Sequence, residues 1–187
     1  PWFFISDMLN QGSRAILSNK GIVQSIRFPI TILPTIEVLS IVFRRFFTFF
    51  ILLIALTAFG YLKFFDVILF FYYFAALVYL MVSMNLLLSA FVAVSEDFHQ
   101  FYLAVVRVII YSLPIMWSFD KVDNVIVHVL LRVNPMVYII RGFRNVFIQG
   151  MTQNIRYTAY FWTSITVIFA FGCYAQYKLH RHYADFV

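Results

Sequence analysis

The residues able to do chemistry are few. Glu96, Asp97 and His99 form the one close grouping of acids with a histidine. A glycosyl- or acyltransferase acting at a membrane surface needs an acid, a base or a nucleophile so placed, and a solvated turn explains the same residues. His180 and His182 flank Arg181, whose positive charge opposes a bound cation. No P-loop pattern occurs. No Ser/His/Asp arrangement or metal-ligand cluster stands out. A single cysteine, Cys173, excludes an internal disulfide. What remains is charge and hydroxyl chemistry set among apolar residues: Arg44, Arg45 and Arg107, and the tyrosines Tyr72, Tyr73, Tyr79 and Tyr111.

Those residues are carried by a very apolar chain. Of 187 residues, 63% are hydrophobic, 21% aromatic and only 12% charged. A soluble domain of this size needs roughly a quarter of its residues charged. A soluble enzyme, a nucleic-acid-binding domain and a disordered chain are therefore all poor fits. The net charge of +6 comes from scattered bases separated by apolar runs, so it is no nucleic-acid signature. An integral membrane protein remains.

A hydrocarbon core about 30 Å thick takes roughly 20 helical residues to cross. Segments 67–95 and 156–177 are long and almost free of charge, and 33–62 and 98–119 read as two further spans. The runs are continuous rather than alternating, which argues for helices over barrel strands. Segment 1–18 starts apolar and turns polar from Ser6. With no Met and no basic opening it does not read as a signal peptide. It reads as the end of a span that begins upstream. Connections 63–66 and 96–99 are expected to be short turns on opposite sides, and 178–187 a basic tail. Arg14, Lys20, Arg27, Lys178 and Arg181 favour one side as cytoplasmic, but Lys121, Arg132, Arg141, Arg144 and Arg156 lie opposite, so charge counting leaves the orientation open.

Two connections carry patterns of their own. In 19–29, Ile22, Val23 and Ile26 share one side of a short helix, Lys20, Gln24 and Arg27 lie elsewhere around it, and Pro29 ends it. Such a helix lies in the headgroups or docks in a groove on a soluble partner. Segment 120–150 is divided at Asn134-Pro135, and its second half puts Arg141, Arg144 and Asn145 on one face. Each half is too short to span, so a re-entrant or interfacial hairpin is expected.

Several motifs in series resemble one family. Phe28-Pro29-Ile30-Thr31-Ile32-Leu33-Pro34 is similar to the FP-x-x-x-L/I-P signature in permease subunits of ATP-binding-cassette exporters for lipid-linked polysaccharides. Pro1-Trp2-Phe3-Phe4 with Gly12-Ser13 resembles the end of that family's second span. Tyr111-Ser112-Leu113-Pro114-Ile115, Asn134-Pro135-Met136 with Gly142-Phe143-Arg144, and 180–186 resemble its later motifs, in the right order over essentially the whole chain. The local pattern looks most like the wall teichoic acid permeases of Gram-positive bacteria. O-antigen, capsule and rhamnose-rich glycan exporters share the same motifs.

The resemblance implies an all-α polytopic membrane protein, the transmembrane domain of an exporter. It would have about four full spans plus the end of another, and a re-entrant outer helical hairpin built on Asn134, Pro135, Arg141 and Arg144. It implies a second copy of the permease, a nucleotide-hydrolysing subunit holding ATP and magnesium, a lipid-linked glycan substrate, and a bacterial plasma membrane. No cofactor would bind this chain, and nucleic acid would be no partner. Lys20, Ile22, Val23, Ile26, Arg27 and Phe28 would form the coupling helix that docks on the hydrolysing subunit.

Tyr72, Tyr73, Tyr79 and Tyr111 are then candidates to line a glycan path, since a ring face stacks on sugar C–H groups, with plain packing or an interfacial position as the alternative. For Arg44 and Arg45 two readings stay open. If Leu62 marks the outer boundary, Arg44 lies about 27 Å below it and both side chains can snorkel to the interface. Otherwise they are a phosphate-binding pair at the cytoplasmic entrance, with Glu37 on the same helix face. Arg107 either faces a cavity or pairs with Glu96 or Asp97. The double arginine departs from the family, which usually has Asn and an apolar residue there, and so does Glu96-Asp97 where the family commonly has Arg-Asp. A membrane-bound transferase and a passive channel are the competing classes.

Overall fold

The computed structural model describes residues 2–19, 21, 30–60, 63–113, 131–148 and 153–179. Among these there is no strand. The helices are α1 (Trp2–Ser13), α2 (Ala15–Ser18), α3 (Leu33–Ala58, entered through a 3-10 turn at Ile30–Ile32), α4 (Phe64–Val94), α5 (Glu96–Ser112), α6 (Pro135–Ile148) and α7 (Ile155–Leu179). Three are long and apolar enough to cross a membrane: α3 with its 3-10 turn, α4 and α7. The chain is an all-α membrane protein.

Local chemistry sets the helix ends. Pro34 lies in the first turn of α3, where its missing N–H is no loss. At the other end Gly60 has φ +74° and its N–H donates to the Thr57 carbonyl at 3.0 Å, a stop that favours glycine. The helix therefore ends at Ala58, short of the expected 62. Segment 63–66 is not a free turn. Phe64, Phe65 and Asp66 open α4, and the Asp66 carboxylate accepts the Lys63 backbone N–H at 2.9 Å. Segment 96–99 is likewise the first turn of α5, leaving Ser95 as the one extended residue between α4 and α5. Asn134 and Asn154 act alike. Each side-chain oxygen accepts the backbone N–H two residues on, at 2.9 Å, in Met136 and Arg156, as a helix N-cap does. The Asn134-Pro135 break expected from the sequence is thus the start of α6.

Helix α4 is the post of the bundle. It packs against α1, α3, α5, α6 and α7, and buried residues run round all its sides from Phe70 to Ala93, as expected for a helix apolar on every face. By contrast α3 and α7 expose large apolar side chains, among them Phe43, Phe47, Ile51, Val167 and Phe171. The described part of α5 is 17 residues. Its expected continuation to 119 lies outside the described residues.

Close helix approach depends on glycine at α6. A Cβ built on Gly142 would fall inside the Tyr73 ring of α4. Gly142→Ala should therefore destabilise the fold by about 1–3 kcal/mol, as overpacking does, read as a lower unfolding temperature in detergent. Gly21→Ala, with nothing within 4 Å of the added carbon, should leave that temperature unchanged. Equal behaviour of the two would refute the packing assigned to α6.

Candidate functional site

Charge gathers where α1 meets α3. Phe4 packs edge-on against Phe49, with ring centroids 5.1 Å apart. One turn along α1, Asp7 is ion-paired with Arg45. One turn further, the Gln11 side-chain oxygen accepts from Arg44 at 3.0 Å. The partners climb α1 while descending α3, so the two helices run antiparallel and their contacts form rungs. Arg44 also meets Glu37 at 3.4 Å on its own helix, the neutralisation expected from their shared face. Asp7 and Gln11 were not legible as partners, because nothing local in the sequence pairs α1 with α3.

Both arginines stay accessible, with side chains 59% exposed at Arg44 and 51% at Arg45. They sit near the middle of α3. With the helix ending at Ala58, Arg44 lies about 21 Å from that end instead of about 27 Å. If Ala58 is at the outer boundary, the pair is inside a core about 30 Å thick. Their guanidinium groups reach carboxylates of the chain itself, the usual arrangement for charge at membrane depth.

The tyrosines separate. Tyr73 is 2% exposed and ringed by Tyr72, Tyr138 and Phe143. It packs the core and offers no face to a path. Tyr72 is half-buried. Its hydroxyl lies 3.2 Å from that of Tyr138 and accepts the Trp162 indole N–H at 2.8 Å. The Tyr138 hydroxyl also lies 3.1 Å from Thr158 Oγ1, and its backbone carbonyl accepts from Gln153 at 2.8 Å. This network ties α4, α6 and α7 together. Tyr79 leans on Trp162 and Phe169. Tyr111 is 80% exposed. Of these four, Tyr79 and Tyr111 lie outside the network.

Arg107 is exposed on α5, and no ion pair joins it to Asp97. Asp97 is exposed while His99 is buried, its Nδ1 3.4 Å from Ser13 Oγ, so these two side chains of the acid–histidine grouping turn apart. Asn134 and Pro135 start α6, and Arg141 and Arg144 lie on it, partly buried. Among the described residues no group of three His, Cys, Asp or Glu stands close enough to hold a metal ion. Lys20, Ile22, Val23, Ile26, Arg27 and Phe28, expected as a coupling helix, and the histidines at 180 and 182 lie outside the described residues. In comparisons with known proteins, no family model matches the chain and no curated protein matches it.

The rungs between α1 and α3 make a testable pair. Asp7→Asn or Arg45→Gln alone strands one charge, whereas the double variant strands none. Each single substitution should lower the unfolding temperature in detergent more than the double does, with a coupling on the order of 1 kcal/mol. Simple additivity would show that the pair contributes nothing.

Proposed function

We propose that the chain is the permease subunit of an ATP-driven exporter that moves a lipid-linked polysaccharide, wall teichoic acid before O-antigen, capsule or rhamnose-rich glycan, outward across a bacterial plasma membrane. The observation that carries the reading is the exposed, ion-paired arginine couple Arg44 and Arg45 in the middle of an apolar spanning helix. Intramembrane charge is expensive, and it marks substrate or ion pathways. Guanidinium groups also match phosphate oxygens in geometry. The serial motif resemblance supports the same class.

In this reading α5 extends through 119 as a fourth span, and 120–150 returns as the re-entrant outer hairpin. Segment 19–29 is the coupling helix that receives motion from a nucleotide-hydrolysing subunit, which holds ATP and magnesium. Chemistry by this chain is non-covalent. Arg44 and Arg45 engage the phosphate region of the lipid-linked substrate, and Tyr79 and Tyr111 offer ring faces to its sugars. A lipid phosphate displaces the internal carboxylate partners only in part, since each guanidinium has five N–H donors.

The direct test is co-expression with the nucleotide-hydrolysing subunit of the same operon. The two should purify together, and this chain should raise the partner's ATPase rate. Absence of any hydrolysing partner would sink the proposal in favour of a channel or a transferase. Within the complex, Lys20→Glu with Arg27→Glu should uncouple hydrolysis from export while the protein still inserts. Unchanged export in that double variant would remove the coupling role from 19–29.

A further inference from the structure

Helices α6 and α7 begin side by side, and positive charge collects there. The Tyr157 ring stands edge-on against Tyr138, with centroids 5.2 Å apart, and the Tyr160 hydroxyl donates to the Val133 carbonyl at 3.0 Å. These contacts bring the first turns of α7 against residues 131–138. Arg141 and Arg132 are the charged neighbours of Tyr157, and Arg156 adds a guanidinium in the first turn of α7. The N-terminal ends of both helices carry partial positive charge of their own. From Asn124 to Ala184 the sequence holds no Asp or Glu, so no carboxylate of α6 or α7 answers this charge.

The Tyr157 hydroxyl makes the imbalance specific. It is buried and has no hydrogen-bond partner among the described residues. An arginine can donate to it but cannot accept its proton, because a guanidinium has five N–H donors and no acceptor. Two cations and a hydroxyl proton thus converge, and an anionic oxygen is what all three can share. Depth selects the anion. The Tyr138 hydroxyl lies 3.2 Å from that of Tyr72, which stands about 12 Å along α4 from Phe64. Helix α4 has 31 residues, about 46 Å against a hydrocarbon core of about 30 Å. With the excess divided evenly, about 8 Å projects at each end, and the Tyr72 level lies about 4 Å inside the core. Phe143 and Phe147 of α6 meet Phe70, so α6 climbs toward that end of α4 and Arg141 stands nearer the boundary than Tyr138. Arginine heads at this depth reach the plane of the lipid phosphates. Val133 and Ile155, next to Arg132 and Arg156 in the chain, are exposed and apolar and suit the carbons just below a headgroup.

We propose that Arg132, Arg141 and the Tyr157 hydroxyl bind the phosphate of an anionic phospholipid in the leaflet at the N-terminal end of α4. Both guanidinium groups donate to the phosphate oxygens. The Tyr157 hydroxyl donates to one of them as the arginine side chains part to admit it. The site does not depend on the permease reading, since a channel or a transferase would carry it equally.

The test uses the full chain in lipid nanodiscs of phosphatidylcholine, with and without phosphatidylglycerol. It reads the unfolding temperature and, by mass spectrometry after extraction into detergent, the phosphatidylglycerol retained. Phosphatidylglycerol should raise the temperature and be retained in preference to phosphatidylcholine. Arg132→Gln and Arg141→Gln should each weaken retention about tenfold, the loss of one charge-assisted hydrogen bond. Tyr157→Phe, which changes no charge, should weaken it about threefold. Lys178→Gln, which removes a positive charge at the opposite end of α7, should leave it unchanged. Unfolding temperatures in phosphatidylcholine alone separate loss of the site from loss of the fold.

Three results would overturn the proposal. One is full retention by the folded Arg132→Gln, Arg141→Gln double variant or, where that variant does not fold, by Tyr157→Phe. Another is an equal loss in Lys178→Gln, which reduces the effect to net charge. The third is inorganic phosphate, added to discs of phosphatidylcholine alone, raising the unfolding temperature as far as phosphatidylglycerol does. That outcome assigns the site to a free anion instead of a lipid.

Discussion

A polar atom carried into hydrocarbon has no water to turn to, so it must find its partner within the chain. That requirement explains why the described residues are helical and how their polar side chains behave. Along α4, the Ser83 hydroxyl donates to the Tyr79 carbonyl at 2.7 Å and the Asn85 amide to the Met81 carbonyl at 2.8 Å. On α7, Thr163 and Thr166 return to carbonyls four residues back. Gln176 reaches across to α4, donating to the Leu86 carbonyl at 2.9 Å and to Ser89 Oγ at 2.8 Å. The helix pair is thereby fixed in register by a polar contact rather than by apolar area, which lipid can supply equally well.

The same requirement divides the polar residues into two sets. Tyr72, Tyr138, Thr158 and Trp162 satisfy one another inside the bundle and hold α4, α6 and α7 in place. Asp7, Gln11, Glu37, Arg44 and Arg45 also satisfy one another, but on an accessible surface. Structural polar groups are consumed by their network. The second set keeps donors and acceptors to offer, which is why function is sought there and not among the buried tyrosines.

What could be read from the sequence follows from the range of the interactions. Helices α3, α4 and α7 come from long apolar runs, a local signal, and were placed to within a few residues. The start of α6 came from Asn134-Pro135, which is equally local. The Glu37–Arg44 contact was legible because both residues stand on one helix face. By contrast Asp7–Arg45 and Tyr72–Trp162 join residues distant in sequence, and composition does not say which helices are neighbours. Segments 63–66 and 96–99 look like turns in the sequence because charges cluster there. Charges also favour the first turn of a helix, where an acid such as Asp66 meets unpaired N–H groups. Tyr73 cannot be told from a path residue by sequence, because a hydroxyl in an apolar run looks the same whether it lines a passage or fills the core.

The lone extended residue between α4 and α5 has a mechanical meaning. Helices α4, α6 and α7 are stitched by side-chain hydrogen bonds and cannot slide without breaking several at once. Ser95, at φ −147° and ψ 119°, joins α5 to that block. Rotation about a single backbone position there would swing α5 as a lever while every rung of both helices stays closed. Such a swing would draw Tyr102 and Val106 out of the core and part His99 from Ser13, so the Ser95 joint sets the angle of α5 while the core holds it there.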